Sequence, residues 1–538
     1  MSPDQLADVV RVAVREASAG LGVAISLPVS VPIERPRDPA HGDYATTIAL
    51  QLARPAGLPA RELAARIASR LTQNAAIGQA QVAGPGFVNI WLSAATAGAL
   101  PGEIVGLGPE YGRSAGLAGQ RVNLEFVSAN PTGPIHVGSV RWAAVGDALA
   151  RLLRATGADV GTEYYFNDAG AQIDRFARSL RAVARGEPVP DDGYAGEYVT
   201  EIASAVVAAQ PDAAHLPDAQ ALAVFRARGV ALMFAEIKAS LAGFGVCFDV
   251  YFAEQGLHDS GALGAALTRL REAGQVYERD GATWVRTTSY GDDKDRVYRR
   301  SSGEYTYFAA DSAYYLDKRS RGFDKVLIVL GADHHGYVGR LRAIAACFGD
   351  DPDKTLEILI GQLVNLMRDG APVRMSKRAG TYVGIDDLVA AIGVDAARYA
   401  LARYSLDSSI DLDLDLWASR STDNPVYSVQ YAHTRICSLL RNAASAGCTL
   451  GTGYDPAVLT HDRETALLQA LADFPAVVAT AAELRAPHRV ARYAEDLASR
   501  YHKFNDACRV LPRAGEEFGE LGRARLWLAA ATRVVLAS

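Results

Sequence analysis

Apolar and polar residues alternate most clearly between Val122 and Val127, where Val122, Leu124 and Phe126 fall on one side of a two-residue repeat and Asn123, Glu125 and Val127 on the other. A period of two with unlike faces predicts a strand. The strand must stop at Pro131, Thr132, Gly133 and Pro134, because two prolines and a glycine suit neither a sheet interior nor a helix interior. From Gly138 the apolar spacing changes to mostly three and four residues, through Val140, Ala143, Ala144, Ala148, Leu149 and Leu152. That spacing predicts an amphipathic helix with His136 and Ser139 at its start. Residues 161–168 read as a second strand, and residues 325–331 as an apolar run of the kind buried in parallel sheets. Strand, helix and strand at this spacing imply a parallel sheet with right-handed crossovers.

The flanking regions follow other patterns. Residues 1–109 read as a separate α+β module, with helical spacing at Leu6, Val9, Val10 and Ala13 and again over 63–71, and a turn feeding an alternating strand over 83–92. Residues 186–256 are mostly alanine-rich helix and read as an insertion between the sheet halves. Residues 281–287 and 295–300 look like paired strands around a charged turn, SYGDDKD, expected to be a solvated surface. Residues 405–417 alternate acid and aliphatic side chains, which suits an edge strand or an acidic tract, although a calcium loop would need a central glycine. From about Arg420 to Ser538 the pattern is helical.

A chain of 538 residues is too long for one core and implies about three or four domains. No run of about 18 uncharged apolar residues is present, so no membrane span is expected. The first twenty residues carry Asp4, Asp8 and Glu16 among apolar positions, unlike a basic-then-apolar leader, and a cytoplasmic location is expected. Five scattered cysteines with no CxxC pair suggest neither a zinc site nor a disulfide framework. The net charge of -6 argues only weakly against nucleic acid, since binding depends on local patches and the acidity lies upstream of Arg420.

Three stretches carry candidate chemistry. The first turn of a helix offers unpaired N–H groups and the positive end of the dipole, so the region of His136, Gly138 and Ser139 suits a phosphate. Tyr307 and Asp311 are four residues apart and share a face if helical, where a phenol and a carboxylate could hold a cation. Arg374 to Lys377 form a basic loop between Gly370 and Gly380. The adjacent His334 and His335 do not make a metal site, because neighbouring side chains point apart.

The run NPTGPIHVGS, residues 130–139, resembles the histidine signature of class I aminoacyl-tRNA synthetases, and EFVSAN before it with RWAAVGDALARLL after it resemble the arginyl-tRNA synthetase branch. Ser139 stands where the family has its second signature histidine. Residues 374–377 resemble the second signature, KMSKS, with Arg374 in place of its first lysine. DPAHGDYATTIALQLA and GPGFVNIWLS resemble the family's additional N-terminal domain, and residues 424–436 and 501–510 its anticodon-binding bundle.

The resemblance implies an α/β fold: a Rossmann-like parallel-sheet catalytic core over 119–404 with a helical insertion near 186–256, an α+β N-terminal domain over 1–109 that contacts the tRNA elbow, and an all-α bundle over 418–538. It implies condensation of L-arginine with ATP and Mg²⁺ to arginyl-adenylate, then transfer to tRNA(Arg), with activation requiring bound tRNA. It assigns His136, Gly138, Ser139, Arg374 and Lys377 to catalysis. ATP falls to Pro131, Thr132, Gly133, His136, Gly138, Gly331, Asp333, His334, Met375, Ser376 and Lys377, with the choice among Asp333, His334 and His335 open. Arginine falls to Glu125, Ser128, Asn130, Tyr307 and Asp311, whose acids and amide suit the five donors of a guanidinium. Tyr427, Tyr431 and Arg435 fall to tRNA, suited to stacking on unpaired bases. No protein-held metal site and no membrane association are expected, and a monomer is. The rival reading is an inactive RNA-binding or assembly protein that kept the fold, supported by the substitutions at Ser139 and Arg374.

Overall fold

Short β-branched and aliphatic runs flanked by helices leave their backbone groups unpaired unless they line up side by side, and in the computed structural model they do so in four sheets. The structure describes residues 1, 3–19, 26–28, 30–36, 38–373 and 383–538. These divide into two compact units, one of residues 1–113, 427–478 and 492–538, the other of residues 114–426 and 479–491.

In the first unit, β1 (Tyr44–Thr46), β2 (Ile77–Ala83) and β3 (Phe87–Leu92) form an antiparallel sheet in the order β1-β3-β2. Leu6, Val10 and Val14 on helix Pro3–Ser18 and Leu63, Ile67 and Leu71 on helix Ala60–Leu71 are fully buried and share a core with Val88 and Ile90 of β3. The same unit holds the C-terminal helices. Arg35 pairs with Asp473 at 2.7 Å, and Tyr111 Oη donates to Leu471 O at 2.8 Å. Helix Asp462–Glu483 is long and apolar enough to cross a membrane, yet Leu467, Leu468, Leu471 and Phe474 are buried. That burial and the Asp473 ion pair mark it as a core helix of the bundle.

The second unit contains β4 (Arg121–Glu125), β5 (Asp159–Phe166), β6 (Val250–Ala253), β7 (Val276–Arg279), β8 (Ala282–Val285), β9 (Arg296–Arg299), β10 (Lys325–Gly331), β11 (Leu356–Gly361), β12 (Val364–Arg368), β13 (Ala371–Pro372) and β14 (Ile410–Asp413). Five strands make a parallel sheet in the order β11-β10-β4-β5-β6. β4 is followed by helix Val137–Ala155, which starts one residue before the change of period at Gly138. The chain goes from β4 to β5 on one side and only later returns as β10 on the other. Strand order therefore reverses beside β4, and the crevice at the carboxyl ends of β4 and β10 is where such sheets bind ligands.

Two sequence expectations change. The segment expected to be a helical insertion ends in β6, which extends the parallel sheet by pairing residues 250–253 with β5. Four residues of this strand are too short for their period to stand out beside the 26-residue helix Asp218–Gly243. The charged turn before β9 is not all solvated. Asp292 has a side chain only 3 % exposed and accepts from Arg296 Nη2 at 2.7 Å. Residues 410–413 are an edge strand, since among the described residues β14 pairs only with β12, in the sheet order β13-β12-β14.

Candidate functional site

The chain leaves β4 in a conformation that side chains usually avoid. Val127 has φ 71° and Ser128 φ 44°, both in the left-handed region, which is costly for a β-branched residue. The bend turns Ser128 back on the strand: its Oγ donates to Glu125 Oε1 at 2.9 Å and accepts from the Tyr165 N–H at 3.1 Å. The turn that follows is held from two sides, by Tyr164 Oη donating to Ala129 O at 2.7 Å and Tyr198 Oη donating to Thr132 O at 3.2 Å.

His136 caps the helix that follows. Its backbone is extended, and its Nδ1 accepts from the Gly138 N–H at 3.1 Å. This requires an unprotonated Nδ1 and so directs the ring proton to Nε2. The backbone around His136 is stitched to residues 383–385, just past the second signature: Val137 N donates to Val383 O at 3.2 Å and Ile385 N to Ile135 O at 3.1 Å. Arg374, Met375, Ser376 and Lys377 themselves lie outside the described residues.

A cavity of about 430 Å³ opens at the carboxyl ends of β4 and β10. Of the expected residues it brings together Glu125, Ser128, Ser139, Asp311, Gly331, Asp333 and His334. His335 is not in its wall. Pro131, Thr132, Gly133, His136 and Gly138 sit in the adjoining turn and helix start rather than in the wall. Asn130 is engaged with neighbours, accepting from the Asn167 N–H at 3.0 Å and donating to Gln172 Oε1 at 2.9 Å. Tyr307 begins helix Tyr307–Ser320 and is 70 % exposed, outside the cavity wall that holds Asp311. Tyr427, Tyr431 and Arg435 belong to the first unit, on helix Pro425–Ser445. The Tyr427 and Tyr431 rings stack at 5.9 Å, Tyr431 stacks on His502 at 5.8 Å, and Arg435 lies 5.7 Å over Tyr431.

The end of the cavity around Asp311 and Glu125 is rich in buried charge. Burial pushes the Asp311 carboxyl up to about 7; Arg340 opposes this in part, and Glu254 and Glu125 add to it by like-charge repulsion. Glu254 follows β6 and accepts from Tyr165 Oη and, at 2.8 Å, from Asn167 Nδ2. Glu125 Oε2 accepts from Lys318 Nζ at 2.5 Å. Behind it, Glu163 accepts from Tyr314 Oη at 2.5 Å, Asn123 Nδ2 at 2.9 Å, and Arg321 Nη1 and Nη2 at 2.7 and 3.0 Å. Burial alone would raise Glu163, but Lys318, Arg321 and Tyr314 outweigh it and hold the carboxyl below its usual range. Glu254, Lys318 and Glu163 escaped sequence reasoning, because they come from three elements and no local spacing links them.

No group of three or more His, Cys, Asp or Glu converges at metal-binding distance among the described residues.

A parallel sheet whose order reverses beside β4, with a histidine-capped helix at that point and residues 383–385 stitched to it, has the form of a class I aminoacyl-tRNA synthetase core. Residues 4–92 match the arginyl-tRNA synthetase N-terminal domain family, residues 237–404 the class I (R) tRNA synthetase catalytic domain and residues 429–538 the DALR anticodon-binding domain. An arginine–tRNA ligase of Kineococcus radiotolerans is 59% identical over 541 residues, covering 100% of this chain and 98% of the relative. One from Frankia alni is 56% identical over 539 residues, with 100% and 98% covered. The chain belongs to the arginyl-tRNA synthetase family. The solved arginyl-tRNA synthetase of Thermus thermophilus has the same fold, with a TM-score of 0.75 at 23% identity over 100% of this chain and 98% of that one.

Proposed function

We propose that this chain is an arginine–tRNA ligase that recognises its two small substrates at opposite ends of the cavity beside β4. The observation that carries the reading is the pair of carboxyl groups, Glu125 and Asp311, in the wall of one cavity next to the His136 helix start, with Glu254 near enough to act on Asp311. Asp311 lacks a full counter-charge and is the guanidinium's principal partner, with Glu254 facing it from the end of β6. A planar fork of donors suits two separated carboxylates. Ser128 and Asn130, on the bend after β4, hold the backbone end of the amino acid. We also assign a place to Tyr307, which would have to turn inward from its exposed position.

ATP takes the other end. Pro131, Thr132 and Gly133 shape the turn, and Gly331, Asp333 and His334 line the nucleotide side. The first-turn amides near Gly138 and the His136 Nε2–H face the phosphates, a task the second signature gives to Arg374, Met375, Ser376 and Lys377 as well. An oxygen of the arginine carboxylate attacks the α-phosphorus; the new P–O bond forms as the bond to pyrophosphate breaks. The terminal ribose hydroxyl of tRNA(Arg) then attacks the arginyl carbonyl, and AMP leaves. No covalent enzyme intermediate is needed, so catalysis consists of positioning and charge stabilisation.

The 1–109 region serves the tRNA elbow and the 418–538 helices the anticodon, with Tyr427, Tyr431 and Arg435 offering a stacking surface. The enzyme works in the cytoplasm as a monomer. The test is arginine-dependent exchange of pyrophosphate into ATP, with and without tRNA(Arg). Exchange with arginine alone among the amino acids, and only when tRNA(Arg) is present, is expected. Exchange driven by another amino acid, or none on folded protein, contradicts the reading.

A further inference from the structure

Lys318 lines the cavity, yet neither the phosphate chemistry nor the guanidinium contacts give it a task. It stands two turns after Asp311 on helix Tyr307–Ser320, so both side chains fall on the face towards the cavity. Its side chain is 1% exposed and its Nζ donates to Glu125 Oε2 at 2.5 Å. The ammonium also lies 4.3 Å from the centre of the Tyr314 ring and 3.9 Å from Glu163. Glu163 is held in turn by Arg321, Tyr314 and Asn123. Arg321, Glu163, Lys318 and Glu125 thus form a row of alternating sign that ends in the cavity wall.

The row acts on the Glu125 carboxylate in two ways. It fixes its orientation: an ionised carboxylate has about four acceptor sites, of which Lys318 takes one on Oε2 and Ser128 Oγ one on Oε1. The group cannot rotate without losing a bond, and each oxygen keeps a site for a further donor, as a planar guanidinium requires. The row also balances charge. Glu125 and Asp311 share the wall, and one guanidinium cannot neutralise both, so Lys318 supplies the second cation. The groups that face this pair from other positions are Tyr165 on β5, Glu254 after β6, Tyr314 and Asp317 on the helix of Lys318, and Asp333 and His334 in the turn after β10. Of the two arginines nearby, Arg321 is committed to Glu163 and Asp317, and Arg340, on helix Val338–Cys347, acts on Asp311.

We propose that Lys318 is a positioning residue for arginine, which orients Glu125 and balances its charge so that the guanidinium meets both carboxylates in place; this rests on the cavity being the arginine site. The experiment follows the arginine KM of the full-length enzyme with purified tRNA(Arg) from about pH 6 to about pH 9. In Lys318→Met and Lys318→Gln two neighbouring carboxylates are left to one guanidinium, and a proton held between them must leave before arginine binds. Near neutral pH the KM is predicted to rise by about 10- to 100-fold, the scale of one charged hydrogen bond. Its fall with pH is predicted to move up by about one pH unit or more, so that alkaline pH recovers much of the loss. Lys318→Arg, which keeps the cation, is predicted to keep the wild-type profile. Lost packing alone would raise KM by the same factor at every pH. Profiles parallel to the wild type in folded Met and Gln variants, or an unchanged KM, would therefore overturn the proposal. If the Met variant does not fold, the Gln variant, whose amide can still donate to Glu125, decides. Asp311→Asn is run alongside: an unchanged arginine KM there would remove the site reading itself, whereas a raised KM with parallel Lys318 profiles removes only the positioning role.

Discussion

The two ends of the cavity are built in opposite ways. At the end proposed for the phosphates the groups are backbone amides and one imidazole, fixed by a turn and a helix start close together in sequence. At the end proposed for arginine they are charged side chains from β4, β5, the end of β6 and helix Tyr307–Ser320, balanced against one another out of water. The phosphate group is common to every ATP enzyme and needs only positive potential at a fixed place. The guanidinium must be told from other cations, and that takes opposed charges whose spacing the whole sheet sets.

The comparison breaks most sharply at Asp311. Asp311→Ala removes the under-compensated carboxylate and should lower kcat/KM for arginine by about 10²- to 10³-fold, with the KM for ATP little changed, as steady-state exchange kinetics would reveal. His136→Ala should do the reverse, lowering kcat for adenylate formation by about 10²-fold at unchanged arginine KM, read in single-turnover assays. It also removes a helix cap, so a loss of about 1 kcal/mol in denaturant unfolding should accompany it.

A milder effect follows from protonation. The Asp311 carboxyl is raised to about 7 in the folded protein, against about 4 in an unfolded chain. Between those values the folded chain holds a proton that the unfolded chain has lost, so the unliganded enzyme loses stability as pH rises from about 4 to about 7. On the proposed assignment, arginine binds the ionised Asp311 carboxylate. Its KM should fall as pH rises towards about 7 and level off above, and the rise in melting temperature that it causes should grow over the same range. The KM for ATP should not follow this profile.

The smallest change sits at the wall between the two ends. A methyl group at Gly361 would run into the Trp142 ring, which lines the cavity. Gly361→Ala should cost about 1–3 kcal/mol by overpacking and shift both KM values modestly, measurable by melting and kinetics together.

The same contrast explains what could be read from the chain. Val122 to Leu152 announces itself because a period of two, a Pro-Gly turn and a helical period succeed one another locally. β10 was equally plain as an unbroken apolar run. β6 was not, being four residues at the end of a helical stretch, and with it Glu254 went unread. Asp311 could be proposed from its spacing to Tyr307, but the two part company in the structure, Asp311 in the cavity wall and Tyr307 in solvent. The pairing of Lys318 with Glu125 joins residues 193 positions apart. Such a contact exists only once helix Tyr307–Ser320 is laid across β4 and β5, and no one-dimensional pattern carries it.

The most direct test of the divided cavity measures arginine and ATP affinities separately, by calorimetry in the presence of tRNA(Arg), for Asp311→Asn and His136→Asn. The account predicts crossed losses: Asp311→Asn weakens arginine and spares ATP, while His136→Asn weakens ATP and spares arginine. Parallel losses of both ligands in either variant, or no loss in both, would contradict it.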